Sequence, residues 1–183
     1  MKKYIFGLMG MIGMIGLVWT FISSTGEMSV YERYGLEGLS VEEMVETLDR
    51  QTLNPELISA GILERELIIT TEDGSNTYPV DDELFYLSIA PYINNTHPCH
   101  NHNLVTCRNE LANETIDVLI TTVDGDIIVD ETVELFDNGF YGFWLPADKA
   151  LNLTVHYGDL SVETVVETFD DSGTCLTEEL QLS

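Results

Sequence analysis

The residues of this chain best equipped for chemistry are gathered in one place. His97-Pro98-Cys99-His100-Asn101-His102-Asn103-Leu104-Val105-Thr106-Cys107 holds three of the four histidines and two of the three cysteines. Thiolate sulfur and imidazole nitrogen are the ligands that soft and borderline metals take, copper and zinc above all. On an extended or looped backbone His100 and His102 point to one side, because side chains alternate with period two. Cys107 follows Cys99 at a distance that a short loop folds back, whereas Cys175 must arrive through tertiary structure. Pro98 holds His97 to extended geometry and stiffens the approach. The residues leave His97 open as a ligand, a partner of a ligand or a surface group. His156 lies in an alternating stretch away from the cluster and reads as an ordinary strand histidine.

Copper fits this donor set for three reasons. Thiolates select Cu(I), imidazole also accepts Cu(II), and copper heads the affinity order of divalent ions. Two thiols could supply two electrons to Cu(II) and close as a disulfide, leaving the third sulfur to retain the metal. Zinc stays open as a rival, although the paired Cys-x2-Cys spacing of zinc knuckles is absent. Also open are a thiol–disulfide redox protein with incidental metal and a secreted module with a structural Cys99–Cys107 or Cys107–Cys175 bridge. An odd cysteine count sits poorly with a purely structural framework. No Gly-rich phosphate loop and no Gly-x-Ser-x-Gly elbow is present, so no catalytic residue is assigned.

The charge bounds the partners. Thirty-two acids oppose 7 bases, for a net charge of −25. Phosphate recognition needs clustered Lys and Arg, so nucleic acid is excluded as a partner. The acids read as a solvated surface; they are hard ligands and do not select copper. Residues 1–26 read as a signal peptide or an N-terminal membrane anchor. Lys2 and Lys3 precede an uncharged apolar run from Tyr4 to Ile22, then Ser23, Ser24, Thr25 and Gly26. The rest of the chain is expected outside the cytoplasm, with membrane contact only through that segment.

The elements that must position the cluster divide into two parts, and the predicted fold class is α+β. Residues 27–66 read as a small helical part. Ser40 and Glu43 form a capping box, and Asn54-Pro55 reads as a second helix start before Leu57, Ile58 and Ile62, with Gly61 interrupting or ending that helix. A helical unit this small has too little core of its own and is expected to pack on a neighbour or on a twin, giving a homodimer. Residues 67–183 read as a β-rich, sandwich-like domain. Strand patterns lie at Leu67–Thr70, Phe85–Ile89, Thr115–Val123, Ile127–Val133, Phe140–Leu145, Leu151–Tyr157 and Val162–Phe169, separated by turns such as Asp124-Gly125. The cluster begins where the Phe85–Ile89 strand leaves the sheet.

The stretch Pro91-Tyr92-Ile93-Asn94-Asn95-Thr96-His97-Pro98-Cys99-His100-Asn101-His102, with Thr106-Cys107, resembles the signature of the CueP-like periplasmic copper-binding proteins. Asp137-Asn138-Gly139-Phe140, Trp144-Leu145-Pro146 and Thr174-Cys175-Leu176-Thr177 resemble that family too. The resemblance covers residues 85–183 well and the helical part more loosely. It implies a copper-resistance protein that binds copper, takes part in reducing Cu(II), and passes copper to acceptors such as a copper–zinc superoxide dismutase. It also implies a helical part that helps dimerisation. Carried over residue by residue, Cys99, Cys107 and Cys175 are the metal-thiol set, with His97, His100 and His102 as supporting ligands.

Overall fold

The computed structural model describes residues 29–63 and 65–183; the predicted leader, residues 1–26, lies outside the described residues. Two short helices come first, α1 (Val30–Tyr34) and α2 (Val41–Arg50). Each opens with a capping box, Ser29 with Glu32 and Ser40 with Glu43, which satisfies donors the first helical turn leaves free.

Ten strands follow. The first three, β1 (Ile58–Leu63), β2 (Glu66–Thr71) and β3 (Gly74–Pro79), form an antiparallel sheet in that order. The second helix expected after Asn54-Pro55 is therefore absent. The Asn54 side chain accepts from the Glu56 amide at 3.0 Å, and its carbonyl accepts from Leu57 and Ile58, so the segment closes as a turn. Ile58, Ala60 and Ile62 then alternate into the core as a strand. Gly61 is a strand residue rather than a helix break. A Cβ there would stand 3.0 Å from the His102 carbonyl, so glycine lets the cysteine loop lie against β1.

The remaining strands make two sheets: β4 (Leu84–Ile89) between β10 (Cys175–Leu176) and β7 (Tyr141–Pro146), and the order β6 (Ile127–Glu134), β5 (Thr115–Thr122), β8 (Ala150–Tyr157), β9 (Leu160–Glu167). Their inner faces meet in one core. Phe85, Leu87 and Ile89 of β4 and Phe143 and Leu145 of β7 join Ile116, Val118, Ile120, Leu151, Leu153 and Val155. β4 is buried on both faces, which explains its unbroken apolar run. Its other face carries Tyr86, which packs with Trp144, the helices and the β1–β3 sheet. The structure thus has an N-terminal helical region and a sheet-dominated, sandwich-like remainder, an α+β fold.

This packing corrects the expected partners. The apolar face of α2 (Met44, Val45, Leu48) is buried against Ile58, Ala60, Ile62, Leu67 and Ile69 of the same chain, with Leu104 and Val105 from the cysteine loop. Its neighbour is its own sheet, so among the described residues the uncovered helix face from which a twin was expected does not exist. The expected membrane contact falls on residues 1–26, which lie outside the described residues. No helix among the described residues is long and apolar enough to cross a membrane.

Gly142 of β7 sits where a Cβ would overlap the Tyr86 phenol. Gly142→Ala should therefore push that ring aside and cost about 1–3 kcal/mol, the usual range for overpacking. Chemical denaturation of the variant checks this; an unchanged midpoint would refute it.

Candidate metal centre

The loop between β4 and β5 carries the cluster and is fastened at both ends. Glu110 reaches back to the loop's entry, where its carboxylate accepts from the amides of Ile93 (2.7 Å), Asn94 (2.8 Å) and Asn95 (3.3 Å) and from the Asn94 side chain. These bonds, the Asn94 amide foremost, hold the Glu110 carboxyl down at about 2. The Asn109 side chain donates to the Ala90 carbonyl at 2.7 Å, and its amide donates to Asn138 at 2.7 Å. In its middle the loop crosses β1, where Ile62 donates to the His102 carbonyl and Leu104 to Ala60. β10 closes the far side: the Cys175 amide donates to the His100 carbonyl, and the Thr174 hydroxyl both accepts from the His102 amide and donates to Ile62. Thr177 donates to the His97 carbonyl at 2.7 Å. Three parts of the chain distant in sequence thus grip one loop.

The three sulfurs converge. Cys99 and Cys175 are joined as a disulfide, with Cα atoms 5.5 Å apart. This is neither of the two pairings that the sequence alone left open. Cys107 is the free thiol, and its sulfur lies 3.7 Å from that of Cys99. Two donor sets share Cys99. His97, Cys99 and Cys107 form one, and Cys99, His102 and Cys175 form the other, the donor atoms within each lying no more than 4.8 Å apart. Phe140, fully buried, lies beneath them with its ring 4.6 Å from that of His102 and 6.2 Å from that of His97.

His100 and His156 are placed differently. His100 is exposed and joins neither donor set. Its ring packs across Gly173, at the rim of a cavity of about 480 Å³ also lined by Cys99, Cys175 and several acids. His156 is exposed on β8, opposite Asp117 and Ser161, as an ordinary strand histidine.

Beneath the sulfurs lies a residue that belongs to no motif of the cysteine–histidine stretch. Asp49, in the last turn of α2, is only 2% exposed. Its Oδ1 accepts from His102 Nε2 at 2.8 Å and from the Asn138 side chain at 2.8 Å, and its Oδ2 accepts from the Tyr86 hydroxyl at 2.8 Å. Burial first, then the Asp49 carboxylate, raises the Tyr86 pKa well above the ordinary value, so the phenol stays a donor. The other nitrogen of His102, Nδ1, points at the sulfurs and lies 3.9 Å from Cys175 Sγ. Two signals in the sequence mark Asp49. It falls one turn after Val45 on the apolar face of α2, and it is an acid in a last turn, where the helix dipole disfavours negative charge.

The electrostatics follow from that contact. Burial pushes the His102 pKa down, but the Asp49 carboxylate and a hydrogen bond to Cys107 outweigh it and lift it from 6.5 to about 9. Burial likewise pushes the Cys107 thiol up, yet the His102 hydrogen bond and charge, with the Asn103 amide 3.4 Å from its sulfur, bring it below its ordinary value. Metal-free protein near neutral pH therefore holds an imidazolium beside a thiol that ionises easily.

Comparison with known proteins agrees with this geometry. Residues 43–181 match the family model of the periplasmic copper-binding protein CueP. The chain belongs to the CueP family. It is an extracytoplasmic, CueP-like copper-binding protein whose Cys/His clusters can coordinate a metal. A solved structure, the crystal structure of S.CueP, is 38% identical over 87% of this chain and 99% of that one, with a TM-score of 0.79. No curated protein matches. The family match names copper alone and gives no support to the superoxide dismutase expected as an acceptor.

Two outcomes are expected. Cys107 in the disulfide form should react with iodoacetamide at a pH below that of an ordinary thiol, and His102→Asn should move that midpoint upward. An unmoved midpoint would contradict the pairing. The second outcome concerns stability. A histidine raised on folding stabilises fully below its unfolded value of 6.5, and that contribution is lost as pH rises through about 9. The lowered Cys107 works oppositely, its contribution being lost as pH falls through the folded value. With the thiol removed in Cys107→Ala, the urea midpoint should fall between pH 6.5 and pH 9.5; a flat profile would contradict the His102 assignment.

Proposed function

We propose that this protein takes up Cu(II), reduces it with the Cys99 and Cys175 thiols, and retains Cu(I) on the remaining donors. The observation that carries the reading is the position of Cys99 Sγ, bonded to one sulfur, 3.7 Å from the other, and common to both donor sets. In the reduced protein Cys99 and Cys175 each give one electron. Two Cu(II) become two Cu(I), one S–S bond forms, and the two thiol protons pass to solvent. The disulfide is then the spent form. Cys107 keeps its thiolate and, with His97, its neighbour in one donor set, holds one Cu(I) while the other is released; His102 belongs to the second set, with Cys99 and Cys175. His100, exposed beside the cavity that reaches the disulfide, fits a role in first contact with the incoming ion rather than in the buried set.

Thiolates favour Cu(I) over zinc, and the absence of paired knuckle spacing points the same way. Because thiols and imidazolium lose protons when they bind metal, copper affinity should rise with pH.

The test is an anaerobic titration of the fully reduced protein with Cu(II), following a Cu(I)-specific chelator and counting free thiols. The reading predicts Cu(I) appearing as two thiols disappear, and no Cu(I) formation in Cys175→Ser. Tight Cu(II) retention with all thiols intact would overturn the reducing role. Zinc displacing copper at equal concentration would overturn the copper preference. Disulfide exchange with a model substrate at full rate under chelator, without any copper reduction, would favour a thiol–disulfide redox protein instead.

A further inference from the structure

We infer that Asp49 is the positioning residue of the metal centre: through His102 Nε2 it fixes which imidazole nitrogen faces the sulfurs, and it ties metal binding to the docking of α2. The inference rests on the reading of His102 as a copper ligand.

An ionised carboxylate only accepts hydrogen bonds, so a ring nitrogen 2.8 Å from Asp49 Oδ1 must carry the proton. That nitrogen is Nε2. The lone pair of the neutral ring is then on Nδ1, the nitrogen directed at Cys175 and sharing a donor set with Cys99. A proton on Nδ1 alone would set the Nε2 lone pair against the Asp49 carboxylate, acceptor against acceptor, within a pair whose side chains are both fully enclosed.

Asp49 is itself held. The Tyr86 hydroxyl fixes Oδ2, and the Asn138 amide shares Oδ1 with His102 while also reaching the Asp49 backbone carbonyl at 3.3 Å. Tyr86 comes from β4, which leads into the loop, and Asn138, whose carbonyl holds Asn109 near the loop's end, comes from the turn before β7. A carboxylate so placed belongs to the carboxylate–histidine–metal arrangement, in which the outer partner orients the ring and raises its basicity. Asp49 thus brings the N-terminal helix into the centre, although α2 supplies no ligand to either donor set.

The test compares Cu(I) affinity by chelator competition in reduced wild type, Asp49→Leu, Asp49→Asn, His102→Gln and the Asp49→Leu/His102→Gln double variant, each checked for native circular dichroism. Asp49→Leu and His102→Gln should each weaken binding about 10–100-fold, the usual cost of losing such an outer partner. The double variant should bind no more weakly than either single one, and Asp49→Asn, which keeps an acceptor oxygen, should recover most of the loss. Additive losses would show a purely structural role and overturn the inference. So would a folded Asp49→Leu protein with wild-type affinity beside a weakened His102→Gln. Wild-type affinity in His102→Gln would instead overturn the ligand reading beneath it. Should Asp49→Leu fail to fold, the ¹⁵N spectrum of Cu(I)-loaded wild type decides: protonated Nε2 with Nδ1 shifted by the metal supports the inference, and the reverse pattern overturns it.

Discussion

A carboxylate buried away from water has to be met by donors, and the fold around this metal centre is arranged to meet one. Asp49 collects an imidazole N–H, a phenol and an amide from three separate stretches of the chain. Leaving any of them unpaired would cost on the order of 1–3 kcal/mol, and breaking the charged His102 contact would cost more. Helix α2, strand β4, the turn before β7 and the cysteine loop are therefore all tied to one buried carboxylate inside a largely apolar interface. Hydrophobic burial alone would hold these elements together; it would not set their register this narrowly.

The same constraint separates two tasks that a copper site must combine. The sulfurs need freedom to bond to metal or to one another, while the imidazole needs a fixed direction. Cys99 sits on a loop segment between His97 and His102, and Cys175 sits in a strand of two residues at a sheet edge. His102, by contrast, is 1% exposed and fastened through both its ring and its backbone. A rigid nitrogen beside adaptable sulfurs lets one pocket pass between thiol and disulfide forms without losing its shape. The acid-lined cavity of about 480 Å³ leaves the disulfide within reach of solvent, so the proposed redox step would not require the core to open.

Much of this was legible in the sequence because it depends on local pattern. The dense His97–Cys107 stretch marked the centre. Alternation placed β5 and β8, the continuous Phe85–Ile89 run matched a strand buried on both faces, and the Ser40/Glu43 box marked the start of α2. What was not legible depends on contacts far apart in the chain. Ile58, Leu57 and Ile62 fit a helical spacing as well as a strand, and only the pairing of β1 with β2 decides between them. Gly61 looked like a helix break because its reason lies forty residues away, in the His102 carbonyl that crosses it. The Cys99–Cys175 pairing and the separation of His100 from the buried set follow from how β10 lies against β4, which no spacing reveals. Asp49 is one acid among thirty-two, and its place one turn after Val45 on the apolar face of α2 marks it only weakly until its burial is known.

The account stands on copper being held by sulfur and by His102 Nδ1 together. X-ray absorption at the copper edge of the Cu(I)-loaded, reduced protein tests this most directly, with His102→Gln measured beside it. The account predicts a Cu(I) edge with a sulfur shell and an imidazole contribution that falls by one nitrogen in the variant. A spectrum made only of nitrogen and oxygen donors, or an imidazole contribution unchanged in His102→Gln, would contradict it.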